Sequence, residues 1–276
     1  MVRDEFLSRP ATRAFISELR SYLNDKPLQH KYRDQKRRIW WSCGSLEDAF
    51  RQYSWRNKNF ERTQVELAGY QERLTLAVDP KNRNGQEAIA VAKEVQRWGG
   101  TNRGRSDRGN IAAIDCYDGQ FVEYLRFCGE AFNRNDLIDE LPKSSFKIRS
   151  NAGFTKIYSL FVDSFCIYDS RVAAALGMLA KRHCVVSGMS CIPQELQFAP
   201  MASAGLKERR DPSEGSFKFK STGGKDAEHF KWNIRTNWIL KAALADTKFG
   251  KIYPSAPLRA LEAALFMIGY DIRAGE

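Results

Sequence analysis

Four charged residues, Lys156, Asp163, Asp169 and Arg171, interrupt an otherwise apolar stretch, Asn151 to Leu176 (NAGFTKIYSLFVDSFCIYDSRVAAAL), and of these Lys156 and Asp169 are the types that could do chemistry as a pair. Lys156 falls in the first turn of one expected helix, and Asp169 falls 13 residues later at the start of the next. A lysine becomes a nucleophile when it loses its proton, and removal from water favours that loss. An aspartate held by helix N–H groups stays ionised and can face a cationic transition state. Both residues also have a plain structural reading. Asp169 is placed to cap the helix that begins at Ser170, accepting from the N–H of Arg171 or Val172. Lys156 also reads as a solvated helix-start lysine, although a cation there faces the less favourable end of the helix dipole.

The elements that must position this pair are helical. Residues 11 to 24 carry Phe15, Ile16, Leu19 and Leu23 at helical spacing, with Pro10 as a start signal. Ser45 to Asp48 (SLED) reads as a capping box with Asp in the last place, and helix is expected from there to about Val78. Asp79 to Gly85 (DPKNRNG) is the clearest breaker and the one soft boundary, dividing a basic helical segment (1–84) from a larger domain (85–276). Further helices are expected at Gln86–Trp98, Phe121–Phe132, Asp136–Leu141, Thr155–Val162, Ser170–Arg182, Trp232–Leu244 and Leu258–Gly269. Residues 203 to 225 read as a long exposed loop. No internal repeat is present, strand patterns are short, and the fold class is mainly α.

With 276 residues and 43% hydrophobic content, the chain can fill a core of its own. The formal net charge of +11 is gathered in patches, which favours a polyanionic partner over a merely soluble basic surface. One patch, Lys26 to Arg38, holds six Lys and Arg residues against Asp34 and runs into Ile39, Trp40 and Trp41. It reads either as a backbone-tracking groove or as a solvated loop leading into a packed Trp pair. Lys36, Arg37 and Arg38 are the nucleic-acid candidates there, with Arg103 and Arg105 in the polar run after Gly100, and Arg171 beside Asp169. A third basic region runs from Lys231 to Lys251. Six cysteines without a CxxC pair and three scattered histidines suggest neither a disulfide framework nor a zinc site. No apolar run reaches the length of a membrane span and no signal peptide is apparent at Met1 to Asn24, so a cytoplasmic protein is expected.

Gly153-Phe154-Thr155-Lys156-Ile157 resembles the second helix start of the helix-hairpin-helix motif in DNA glycosylases of the 8-oxoguanine class, and Tyr168-Asp169-Ser170-Arg171-Val172 resembles the segment carrying their catalytic aspartate. The resemblance implies a two-lobed helical fold, attack of Lys156 on the sugar C1′ to form a Schiff base, and stabilisation of the sugar cation by Asp169. It implies no metal or organic cofactor. Glu262-Ala263-Ala264-Leu265-Phe266 resembles the helix from which that class presents a base-edge hydrogen-bonding residue and, one turn on, a stacking aromatic. The class usually has glutamine where Glu262 stands. An ionised carboxylate accepts only, and would suit the adjacent donors of a guanine-like edge, including 7-substituted and deaza forms. Phe266 as core and Glu262 as a solvated surface residue is the competing reading. The match departs from the class in having one hairpin glycine where two are typical, a shorter Lys-to-Asp separation, and Leu160 where a cysteine often lines the pocket. The YDSRVA segment is similar to that of a divergent bacterial set with this fold, found beside deazaguanine-handling enzymes in cyclic-oligonucleotide antiphage signalling operons. That similarity implies antiviral defence and protein partners from such an operon. The expected function is a glycosylase acting on a modified base in nucleic acid, DNA ahead of RNA. The alternative is a non-catalytic module of the same fold that binds nucleic acid, a modified nucleotide or a protein.

Overall fold

A computed structural model describes residues 2–35, 37–82, 84–101, 109–134, 146–200 and 208–273. Among them are eleven α-helices and one two-stranded antiparallel hairpin, so the protein is mainly α-helical. After a short α1 (Arg3–Ser8), α2 (Pro10–Asn24) starts on its proline and buries Phe15, Leu19 and Leu23 along one stripe. The basic stretch that follows is not all loop. His30–Asp34 forms β1 and Ile39–Cys43 forms β2, with Tyr32 opposite Trp41 and Arg33 opposite Trp40. The alternation His30 in, Lys31 out, Tyr32 in, Arg33 out is the period of two that a half-buried strand requires.

The helix expected from Ser45 to Val78 is broken into α3 (Leu46–Arg51) and α4 (Phe60–Val78). Arg56 and Asn57 between them adopt positive φ, a conformation no α-helix passes through, and Asn59 then caps α4 by accepting from the Arg62 N–H at 3.1 Å. Asn84 restarts the chain in the same way for α5 (Gly85–Trp98). α6 (Asn110–Asp115) and α7 (Phe121–Asn133) lead to the central pair, α8 (Phe154–Phe161) and α9 (Ser170–Val186). α10 (Asp226–Leu244) and α11 (Pro257–Ile268) close the chain. The helix expected at Asp136–Leu141 lies outside the described residues.

α9 is the axis of the molecule, with every residue from Val172 to Ala180 buried, most of them small enough to let neighbouring helices approach. α11 packs along α9 and α3, α4 packs on α5 and α8, and α2 packs on α10. A single hydrophobic core therefore runs from Phe6 to Ile272, and the segments on either side of Asp79–Gly85 share it. No helix among the described residues is long and apolar enough to cross a membrane.

Candidate functional site

Lys156 is the third residue of α8. Asn151 Oδ1 accepts from the N–H groups of Gly153 (2.9 Å) and Phe154 (3.1 Å), fixing the helix start in space. The lysine side chain turns back past that start, and Nζ donates to the Ala152 carbonyl at 2.5 Å. The residue is only 6% exposed. Its stem lies on Gly99, at the end of α5, where an added Cβ would come within 2.4 Å of Lys156 Cδ. That glycine has an ordinary helical φ, so its lack of a side chain serves the lysine rather than the turn. Burial lowers the Lys156 pKa from the usual lysine value, with the Asp169 and Glu262 charges pulling the other way and Arg171 adding to the depression.

Asp169 is the N-cap of α9, its Oδ1 accepting from Arg171 N (2.9 Å) and Val172 N (3.1 Å). The loop that delivers it is held by side chains from three helices. Cys166 N donates to Asn237 Oδ1 (2.9 Å), Ile167 N to Glu262 Oε2 (2.5 Å) and Tyr168 N to Thr155 Oγ1 (3.0 Å). Three consecutive buried N–H groups that a strand or helix would otherwise satisfy are thus paired. His229 completes the frame. Its Nε2 faces the Tyr168 carbonyl at 3.0 Å and must donate, so Nδ1 accepts from the Ser150 hydroxyl at 2.8 Å. Burial lowers its pKa to about 4, which keeps the imidazole neutral near pH 7.

Lys156, Asp169, Glu262 and Phe266 all line one small cavity of about 40 Å³, walled further by Tyr53, Trp55, Thr63 and Trp98. That volume admits a water molecule, not a base. Beside it opens a larger cleft of about 520 Å³, lined by Asn151–Gly153, Tyr168–Ser170, Ser221–Gly224 and His229. Asp169 belongs to both, and the carbonyl that receives Lys156 Nζ is in the wall of the cleft. A cleft of that size suits a nucleoside.

Glu262 and Phe266 share a helix face, but neither presents itself freely. The Glu262 carboxylate takes two bonds from Arg259 Nη1 (2.9 and 2.7 Å) as well as the Ile167 N–H, and burial raises its pKa against the pull of Arg259. It is buried rather than the solvated residue of the competing reading. Phe266 is half-buried, with its ring 5.6 Å from Trp55 and 5.9 Å from Tyr53, and the Arg171 guanidinium lies 4.2 Å over its centroid. Arg171 is also 4.8 Å from the Tyr270 centroid. Its guanidinium is thus engaged by aromatic rings of the fold. It is wedged between two rings because the start of α9 abuts the end of α11, where a Cβ on Gly269 would meet the Arg171 carbonyl at 1.8 Å.

Of the other nucleic-acid candidates, Arg37 and Arg38 are exposed at the tip of the hairpin, Arg37 bonding Ser54 Oγ at 3.1 Å. Lys36, Arg103 and Arg105 lie outside the described residues. Sequence reasoning missed Tyr53, Trp55, Thr63, Trp98 and Gly99. Their only signal was a Trp-Gly-Gly end to a helical run and a Tyr-Ser-Trp between two helices, neither of which announces what it faces. Among the described residues, no three His, Cys, Asp or Glu side chains gather as a metal ion would require. Comparison with protein-family models, with curated proteins and with solved structures found no match to this chain.

Proposed function

We propose that the chain is a glycosylase of the helix-hairpin-helix kind, with its two-lobed helical fold, which removes a modified, guanine-like base from nucleic acid in antiviral defence. The observation that carries this reading is Lys156: a buried lysine with a depressed pKa, aimed at the wall of a nucleoside-sized cleft that holds Asp169. With the sugar in the cleft, the neutral amine forms a bond to C1′ while the glycosidic bond breaks, its electron pair leaving with the base nitrogen, which takes up a proton. The resulting ammonium loses a proton, its nitrogen lone pair forms the C=N bond as the C1′–O4′ bond breaks, and the ring oxygen takes up a proton, leaving a protonated imine. Asp169, its carboxylate accepting from two helix N–H groups, faces the positive charge that develops on the sugar. Phe266 stacks the flipped base once Arg171 has moved off its ring. Glu262 acts in this scheme chiefly by holding the Ile167 N–H and so the loop that ends in Asp169. Nucleic acid, DNA before RNA, and proteins of an antiphage operon are the partners this reading supplies.

The second reading is a binding module of the same fold, and one observation favours it: the cavity beside Lys156 is closed to a base, with Arg171 lying where the base would stack. Base release decides between them. On oligonucleotides carrying 8-oxoguanine or deazaguanine derivatives, single- and double-stranded, the protein is expected to release at least one free base. Asp169→Asn, which still caps α9, is expected to slow release by about a hundredfold or more. Absence of release from every substrate, with parent-like binding by the variant, supports the module.

A further inference from the structure

The outer face of the hairpin carries Lys31, Arg33 and Trp40, all exposed, above a groove of about 800 Å³ that also takes in Lys181 and Arg182 of α9 and Arg209. Trp40 is 55% exposed, an unusual position for the largest apolar side chain, and its ring holds Lys31 Nζ at 4.4 Å. Arg33 sits directly across the ladder from Trp40, and among the described residues its guanidinium makes no hydrogen bond or ion pair. Among the described residues, two further guanidiniums in the wall have no carboxylate within ion-pair distance. Arg182 donates to the Gln29 carbonyl (3.2 Å), and Arg209 to the carbonyls of Asp211 (3.0 Å) and Ser213 (2.8 Å). The groove's two carboxylates are already matched, Glu214 by Lys181 at 2.6 Å and Asp271 by Arg273. Arg33 and Arg182, without a carboxylate partner among the described residues, and Arg209, whose charge reaches Glu214, thus flank an open aromatic face.

We propose that this groove binds single-stranded nucleic acid, one base stacking on Trp40 and the adjoining phosphates lying on Arg33, Arg182 and Arg209. Phosphates fit because the groove's five cations outnumber its two carboxylates, and a single strand fits because only unpaired bases offer a face to an exposed ring. A duplex keeps its base faces stacked inside. The groove lies outside the cleft that holds Asp169, and a run of packed side chains leads from it to the wall of the small cavity at Lys156. Tyr32 lines the groove and stacks on Tyr270 at 5.1 Å, Tyr270 meets Arg171, and Arg171 covers Phe266. This site stands independently of the glycosylase reading.

The test is binding of a labelled oligo-dT of about 12 nucleotides to the full chain by anisotropy, with tryptophan emission followed in parallel on unlabelled strand. Trp40→Ala is expected to weaken single-strand binding by about tenfold to a hundredfold. Trp40→Phe is expected to retain the affinity while losing part of the emission quench. Because Trp40 is exposed, both variants should keep the parent melting temperature, and the quench comparison does not depend on Trp40→Ala folding. Arg33→Ala should flatten the dependence of log K on log salt by about 0.7. Only strand binding is read, so a failure of the Lys156 chemistry leaves this inference standing. Parent-like affinity in Trp40→Ala with an unchanged quench in Trp40→Phe overturns it. So does equal binding of duplex, or equal competition by a polyglutamate peptide.

Discussion

Lys156 sits where a lysine is expensive. Its stem is packed on Gly99 and its ammonium has one carbonyl acceptor, at Ala152. Because burial depresses its pKa, the unfolded chain binds the proton more readily than the folded one between the folded value and the free value of about 10.4. Stability therefore rises with pH through that window, and the penalty is fully present below it. Lys156→Met, which keeps the volume and removes the charge, is expected to stabilise the protein by about 1–3 kcal/mol at neutral pH. The gain should shrink as the pH approaches 10, as read from denaturant unfolding at several pH values. A variant less stable than the parent, or a gain indifferent to pH, would show that the lysine is an ordinary packed residue.

At the scale of elements, the start of α9 joins stability to the site. Asp169 both caps the helix and faces the cleft, so its two roles separate by substitution. Asp169→Ala should cost about 0.5–2 kcal/mol of unfolding free energy, while Asp169→Asn should stay within a few tenths of the parent. Equal losses would mean that the charge, not the cap, holds the helix start. This cap was legible in the sequence because it depends on residues next to one another. So were α2, α7 and α11, whose apolar spacing is regular, with a proline opening α2 and α11 and a glycine closing α11. The break between α3 and α4 was not, since Arg56 and Asn57 turn the chain with no proline or glycine to mark it. The hairpin was hidden by its charge: HKYRD alternates in burial, but its outward residues made the whole stretch read as a basic loop. The ring contacts of Arg171 were not legible for another reason. Its surroundings are set by Phe266 and Tyr270, a hundred residues away in the chain, and no local pattern encodes that contact.

Over the whole molecule, the walls of the small cavity come from the α3–α4 connection, α4, the end of α5, α8, the start of α9, and α11. The boundary read at Asp79–Gly85 is a turn between two helices that pack on each other, and α2 and α3 lie on α10 and α11. Residues 85–276 alone would expose the faces of α10 and α11 that α2 and α3 cover. That fragment is expected to lack a cooperative thermal transition while the full chain shows one, and a sharp transition in the fragment would restore an independent domain. Only the complete fold sets Lys156 against Gly99 and beside Asp169, and the account depends most on what that lysine does. Borohydride added during incubation with an oligonucleotide bearing an abasic site or a modified guanine should reduce the imine to a stable protein–nucleic acid adduct, because an imine is reducible and an ion pair is not. Peptide mass mapping should place the adduct on Lys156, and Lys156→Gln should abolish it while keeping most of the binding, which the basic patches supply separately. An adduct on another lysine, or none from any substrate in the panel, would contradict the central claim.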